Sequence, residues 1–193
     1  LWIWHPRGGI FRKQLEDWVR DLHVERGYDL IVTPHIARSV LWETSGHLEK
    51  YRENMYPPME ADTGDYYVKP MNCPLHHKIF AARQRSYRDL PLRLAEYGTC
   101  YRFEDSGSLM GLLRVRSMQM NDAHIYCGMD QFEAEFLAVV QLYLEYFQLF
   151  GIDRLDVGGK HRQISHITRF QLAFAVFQEA GVSAFYRIAG QRL

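Results

Sequence analysis

Hydrophobic and polar positions recur with two different periods along this chain, and the points where the period changes divide it into elements. Over residues 11–26, Phe11, Leu15, Trp18, Val19 and Leu22 fall three or four apart, the apolar stripe of an amphipathic helix, with Gly27 placed to end it. Tyr28 to Thr33 is β-rich and stops at Pro34, which has no N–H for a central ladder. A short helix is predicted from Ser39 to Ser45-Gly46, followed over residues 51–64 by a proline- and glycine-bearing loop or hairpin connection. Residues 66–69 read as a strand, 75–87 as a helix and 93–103 as a strand. A Gly/Ser turn over 106–111 leads into another arginine-bearing strand, so the two form a long antiparallel hairpin. The clearest helix covers 130–150, with Asp130 as its N-cap and Phe132, Phe136, Val139 and Tyr143 on one stripe. Strands joined by hairpins and surrounded by helices predict an α+β fold, an antiparallel sheet flanked by helices.

One stretch is a poor core strand. Period two from Arg114 carries Arg116, Met118, Met120, Asp122 and His124 along one face, against Val115, Ser117, Gln119 and Asn121 on the other. Two cations at one end of a face and an acid with an imidazole at the other suit the floor of a cleft that takes an anion and a metal or polar ligand. A solvated face with its charges paired to neighbours is the alternative.

Composition adds little. At 193 residues and 47% hydrophobic content, one domain with a substantial core is expected. Basic and acidic residues both total 23, so net charge says nothing about a polyanionic partner. The cations are mostly arginine, whose planar fork suits carboxylate and phosphate. Cys73, Cys100 and Cys127 are widely spaced with no CxxC pair, which argues against a disulfide framework. With no signal-peptide pattern and no apolar run long enough to span a bilayer, no membrane association is expected, and a reducing, cytoplasmic setting is. Cys73 sits in the bend KPMNCP (69–74), braced by Pro70 and Pro74, and His124 lies far along the chain. Thiolate and imidazole suit tetrahedral zinc, although such a pair is also common in cores.

At this point the residues match a family. The helix, strand and proline of residues 10–34 resemble motif 1 of class II aminoacyl-tRNA synthetases, and Arg102-Phe103-Glu104, a loop, then Leu113-Arg114-Val115-Arg116 resemble motif 2. SGHLEKYRENMYPP (45–58), KPMNCP, SYRDLPLRLAEYGTCYR (86–102) and NDAHIYC (121–127) are similar to the threonyl-tRNA synthetases in particular. The resemblance is close over 1–150, the catalytic core with motifs 1 and 2, and poor over the tail 151–193. It implies the class II catalytic fold with six or seven strands, a homodimer through motif 1, and activation of threonine by ATP for transfer to tRNA(Thr). By resemblance, Cys73 and His124 are ligands of one Zn2+ per chain that receives the amino acid's amine and hydroxyl. Asp122 accepts the same hydroxyl, and Met71 and Lys69 lie beside the threonine pocket, Lys69 being equally readable as a solvated lysine.

Arg102 resembles the arginine that bridges the α-phosphate and the amino-acid carboxylate, Glu104 the contact to the adenine edge, and Arg114 a contact to the terminal phosphates of ATP, which comes with Mg2+. Fixed arginines aimed at growing phosphoryl charge catalyse by positioning and electrostatics. Salt bridges across the hairpin among Arg102, Glu104 and Arg114 are the other reading. The loop 105–112 falls where the family touches the acceptor end of tRNA. Met118 stands where an aromatic usually stacks under adenine, Met120 where glutamine is common, Ser117 where glycine is usual, and Leu75 where a glycine is frequent. In the tail, matching GKHRQISH (159–166) to the segment before motif 3 makes His166 the third zinc ligand. Matching AFY (184–186) to a strand by the threonine site makes Tyr186 a substrate contact instead. Surface histidines ahead of a helix over 170–179 are the plain alternative for His161 and His166.

Overall fold

The computed structural model describes residues 3–152. The chain order is α1 (Pro6–Glu25), β1 (Asp29–Leu30), β2 (Ile36–Arg38), α2 (Ser39–Thr44), α3 (His47–Lys50), β3 (Tyr66–Val68), α4 (Cys73–Ala81), β4 (Leu92–Tyr101), β5 (Ser117–Tyr126) and α5 (Phe132–Leu149). These residues fall into two compact units. One takes Leu94–Asp122 with the chain before it as far as Gln84; the other takes Arg85–Arg93 with the chain from Ala123 onward. No helix among the described residues is long and apolar enough to cross a membrane.

The α+β class and the helix-flanked sheet hold. The described strands number five, in two sheets: β1-β4-β5 and the pair β2-β3. The β2–β3 pair is antiparallel, with Ala37 opposite Tyr67, whereas β1 runs parallel to β4, Asp29 opposite Leu94. A parallel neighbour is possible because β1 reaches β4 across a long connection rather than through a tight hairpin.

Local chemistry explains where elements begin and end. Helix α1 opens five residues before the first stripe residue, because Pro6 at its first turn has the right φ and no N–H to leave unpaired. Gly27, with φ of 75°, follows it in the left-handed region. Only Val19 and His23 of α1 are fully buried; Phe11 is exposed. Helix α5 is capped at Gln131, not at Asp130 as its sequence predicts. The Gln131 amide carries the connection instead: its Oε1 accepts from the Gly128 N–H at 2.9 Å and its Nε2 donates to the Leu90 carbonyl at 3.0 Å. Strand β5 starts at Ser117, so Arg114 and Arg116 lie on the returning limb of the preceding loop and not on the strand. Arg114 closes a tight turn onto Met110, and the Arg116 Nε donates to the Glu104 carbonyl at 2.8 Å. Trp42, Met55 and Tyr67 form a buried cluster over which Ala37, Leu41 and Leu48 pack.

Candidate active site

Strand β4 presents Leu94, Glu96, Gly98 and Cys100 on one face, all buried. A carboxylate on such a face must find partners. Glu96 accepts from the Thr33 N–H at 2.7 Å and from its hydroxyl at 2.9 Å, and pairs with His76 Nε2 at 3.0 Å. The Lys69 ammonium lies 3.5 Å away and donates to the Thr33 hydroxyl at 2.7 Å. Lys69 has no exposed surface, which settles it as an interior cation and not a solvated one. Burial works to raise the Glu96 carboxyl, but the hydrogen bonds from His76 and Thr33 and the Lys69 charge outweigh it and hold it below the ordinary 4.5. The Lys69 backbone is pinned as well, its N–H to the His35 carbonyl and its carbonyl to the Tyr101 N–H, both at 2.8 Å. The bend 69–74 therefore rests on a rigid floor. Sequence reasoning passed over Thr33, His76 and Glu96. The available signal was Glu96 sharing the period-two face of Leu94 and Cys100.

Within the bend, Met71 and Cys73 are half-buried, and Asn72 is wholly buried. The Asn72 Nδ2 donates to Asp122 Oδ2 at 3.0 Å, and the Cys100 thiol donates to Asn72 Oδ1 at 3.4 Å. Asp122 is 5% exposed, low for a carboxylate, and faces the bend from β5.

A cavity of about 510 Å³ is lined by Arg102, Glu104, Arg114, Met118 and Met120, with Leu112, Leu113, Val115 and Gln119. All four residues expected to meet ATP (Arg102, Glu104, Arg114 and Met118) share this one cavity. The Arg102 Nε is buried without a hydrogen-bond partner, a donor left for something not of the protein. Glu104 is buried and takes two of the Arg114 nitrogens, Nε at 3.0 Å and a terminal nitrogen at 2.9 Å, so the cross-hairpin salt bridge does form. The Arg114 side chain is 55% exposed, so its end of the pair is open to a competing anion. Chemically, the cavity is lined by two guanidinium groups together with thioether and leucine side chains, a match for an anion joined to an apolar group.

The expected metal ligands are less complete. Cys73 opens α4 in the first unit, and His124, 2% exposed, lies on the part of β5 that belongs to the second. His166 and Tyr186 lie outside the described residues. Among those described, no group of three or more His, Cys, Asp or Glu is arranged to hold a metal. The two donors are of the type zinc prefers, but two fall short of a zinc site.

Comparison with known proteins gives the family. Residues 57–186 match the tRNA synthetase class II core domain (G, H, P, S and T), and the chain belongs to that family. Within the family its likeness is to threonine enzymes. It is 51% identical over 157 residues to a threonine–tRNA ligase of Sulfurihydrogenibium sp. (strain YO3AOP1), covering 81% of this chain and 24% of that protein. The threonine–tRNA ligase of Aquifex aeolicus (strain VF5) is 50% identical, covering 81% and 25%. Among solved structures, the RNA binding domain of threonyl-tRNA synthetase from Cryptosporidium parvum Iowa II superposes with a TM-score of 0.71 at 41% identity, over 76% of this chain and 37% of that one. The chain thus spans about a quarter of the length of the curated relatives it matches.

Proposed function

We propose that this chain carries the adenylation site of a threonine–tRNA ligase. The observation that carries the reading is the meeting of Arg102, Glu104, Arg114 and Met118 in one cavity, with an unpartnered buried Arg102 Nε. The threonine carboxylate attacks the α-phosphorus of ATP, pyrophosphate leaves, and the terminal hydroxyl of tRNA(Thr) then takes the acyl group as AMP leaves. Arg102 bridges the carboxylate and the α-phosphate, holding reacting atoms in line and stabilising charge on the phosphorus oxygens. Arg114 leaves Glu104 for the terminal phosphates, which arrive with Mg2+, and freed Glu104 reads the adenine edge. Met118 packs beneath the purine, soft enough to follow its face without an aromatic ring. Asp122 accepts the threonine hydroxyl and Met71 walls the pocket, with Tyr186 as a further substrate contact.

In this reading Cys73, His124 and His166 would hold one Zn2+, which would act as a Lewis acid toward the amino acid's amine and hydroxyl. A site built around that hydroxyl rejects valine strongly, because its polar groups would be left unpaired. Exposed Ile10, Phe11, Leu30 and Val32 on and after α1 support a homodimer through this segment, and a cytoplasmic setting suits the substrates.

The test is exchange of pyrophosphate into ATP by the full chain with threonine, serine or valine, alongside elemental analysis for zinc. Exchange with threonine far above valine is expected, falling on the order of 10²-fold or more in Arg102→Ala. Cys73→Ser is expected to lose metal and threonine binding while keeping ATP. Metal without exchange would instead mark a synthetase-like module that binds its ligands and activates nothing. Normal threonine binding by Cys73→Ser would sink the metal's assigned role.

A further inference from the structure

We infer that Asn72 is a positioning residue of the amino-acid site: its amide N–H aims the Asp122 carboxylate, and Cys100 sets which way that amide faces. The inference rests on the reading of Asp122 as acceptor for the substrate hydroxyl, and the geometry behind it is independent of that reading. Asn72 and Cys100 both have no exposed surface, so water cannot substitute for either contact. The two ends of an asparagine amide are nearly alike in shape but opposite in hydrogen bonding. If the amide turned over, its oxygen would face the Asp122 carboxylate and two acceptors would oppose each other. What prevents this is the donor at the other end. Burial pushes the Cys100 thiol up to about 12, so it stays S–H and requires an acceptor, which only Oδ1 of Asn72 provides in this orientation. Nδ2 is thereby left pointing at Asp122 Oδ2, 3.0 Å away.

The strand makes room for the arrangement. A Cβ at Gly98 would lie 2.2 Å from Asn72 Oδ1 and 2.3 Å from Nδ2, so no side chain at 98 coexists with the amide where it is. Gly98 and Cys100, two apart on the same face of β4, therefore act on one group: the first leaves the space, the second chooses the orientation. Neither touches the cavity of Arg102 and Glu104, so the device belongs to amino-acid binding and not to nucleotide binding.

Steady-state exchange by the full chain, read as separate KM values for threonine and ATP, tests this. Cys100→Ala removes the donor and is expected to raise the threonine KM about tenfold, with the ATP KM within about twofold. Cys100→Ser keeps a donor at the same place and is expected to recover most of that loss. A role in packing alone predicts the reverse order, since alanine fills an apolar site better than a hydroxyl does, and that order would overturn the inference. Asn72→Ala is a second route to the same loss; an equal rise in both KM values, or in neither, would also overturn it. Asp122→Asn separates the two claims. If it leaves the threonine KM unchanged, the reading of Asp122 fails and positioning fails with it. If it raises the threonine KM while the Asn72 and Cys100 variants do not, positioning alone is wrong.

Discussion

Lys69 shows how much a single side chain can decide. An ammonium with no exposed surface must find partners inside the protein, here Glu96 and the Thr33 hydroxyl. Removing the cation leaves Glu96 buried with only the contacts of Thr33 and His76, and breaking a buried pair costs about 3–5 kcal/mol. Lys69→Met is therefore expected to lose about that much in urea unfolding. Lys69→Met with Glu96→Gln should regain more than half, because a neutral amide still accepts from Thr33 without demanding a cation. A double variant no more stable than the single one would mean that the cost lies in packing and not in charge. The sequence made Arg102, Glu104, Arg114 and Met118 legible, since motif spacing ties arginines to a hairpin whose return brings them together. Lys69 was not legible in the same way. A lone lysine after three β-formers has no periodicity to say which way it points, and its partner Glu96 lies 27 positions on, on a strand whose burial only the fold reveals.

Between elements, the same logic applies inside the second unit, to the first residues of β4 and the helix α5. Arg93 at the start of the strand meets Glu135 in the first turn of the helix through two parallel contacts, Nε to Oε2 at 2.6 Å and a terminal nitrogen to Oε1. Glu135 is buried, and its position near the helix N-terminus favours the negative charge. A bidentate pair this well covered is worth more than a surface bridge, because both partners are oriented before they meet. Arg93→Lys keeps the charge but not the fork, and is expected to lose about 1–2 kcal/mol in a denaturant melt, with Arg93→Met losing more. Equal stability of Arg93→Lys and the parent would show that charge alone matters. Neither residue was singled out from sequence, although both ends of the contact lay inside elements that periodicity placed well. Residues 93–103 and 130–150 were read within two residues of the observed β4 and α5. That these two side chains meet is a tertiary property, and period alone does not give it.

Over the whole molecule these buried groups sum to a pH dependence of stability whose sign follows from each shift. His23, His47 and His77 are each held below the ordinary 6.5, by burial first, so the folded protein keeps them neutral where the unfolded chain would protonate them. Their contribution is complete above 6.5 and is lost as pH falls through the lowered folded values. Glu96, held below 4.5, adds a second loss further down, as it is protonated against the pull of Lys69 and His76. The alkaline side is bounded by groups shifted the other way. Burial raises Cys100 from 9.0, and Tyr97 from 10.0, each to about 12, so the unfolded chain ionises first and stability declines from 9.0 upward. The thermal midpoint should therefore be flat between the two limits and fall on both sides, measurably by about pH 5 and again by about pH 10. His23→Gln removes one of the acid-side titrations without touching the cavity, and is expected to shallow the decline between about pH 6.5 and 5. A midpoint that rises on acidification across that interval would mean the three histidines are charged in the folded state. The neutral, buried setting assigned to them would then be wrong.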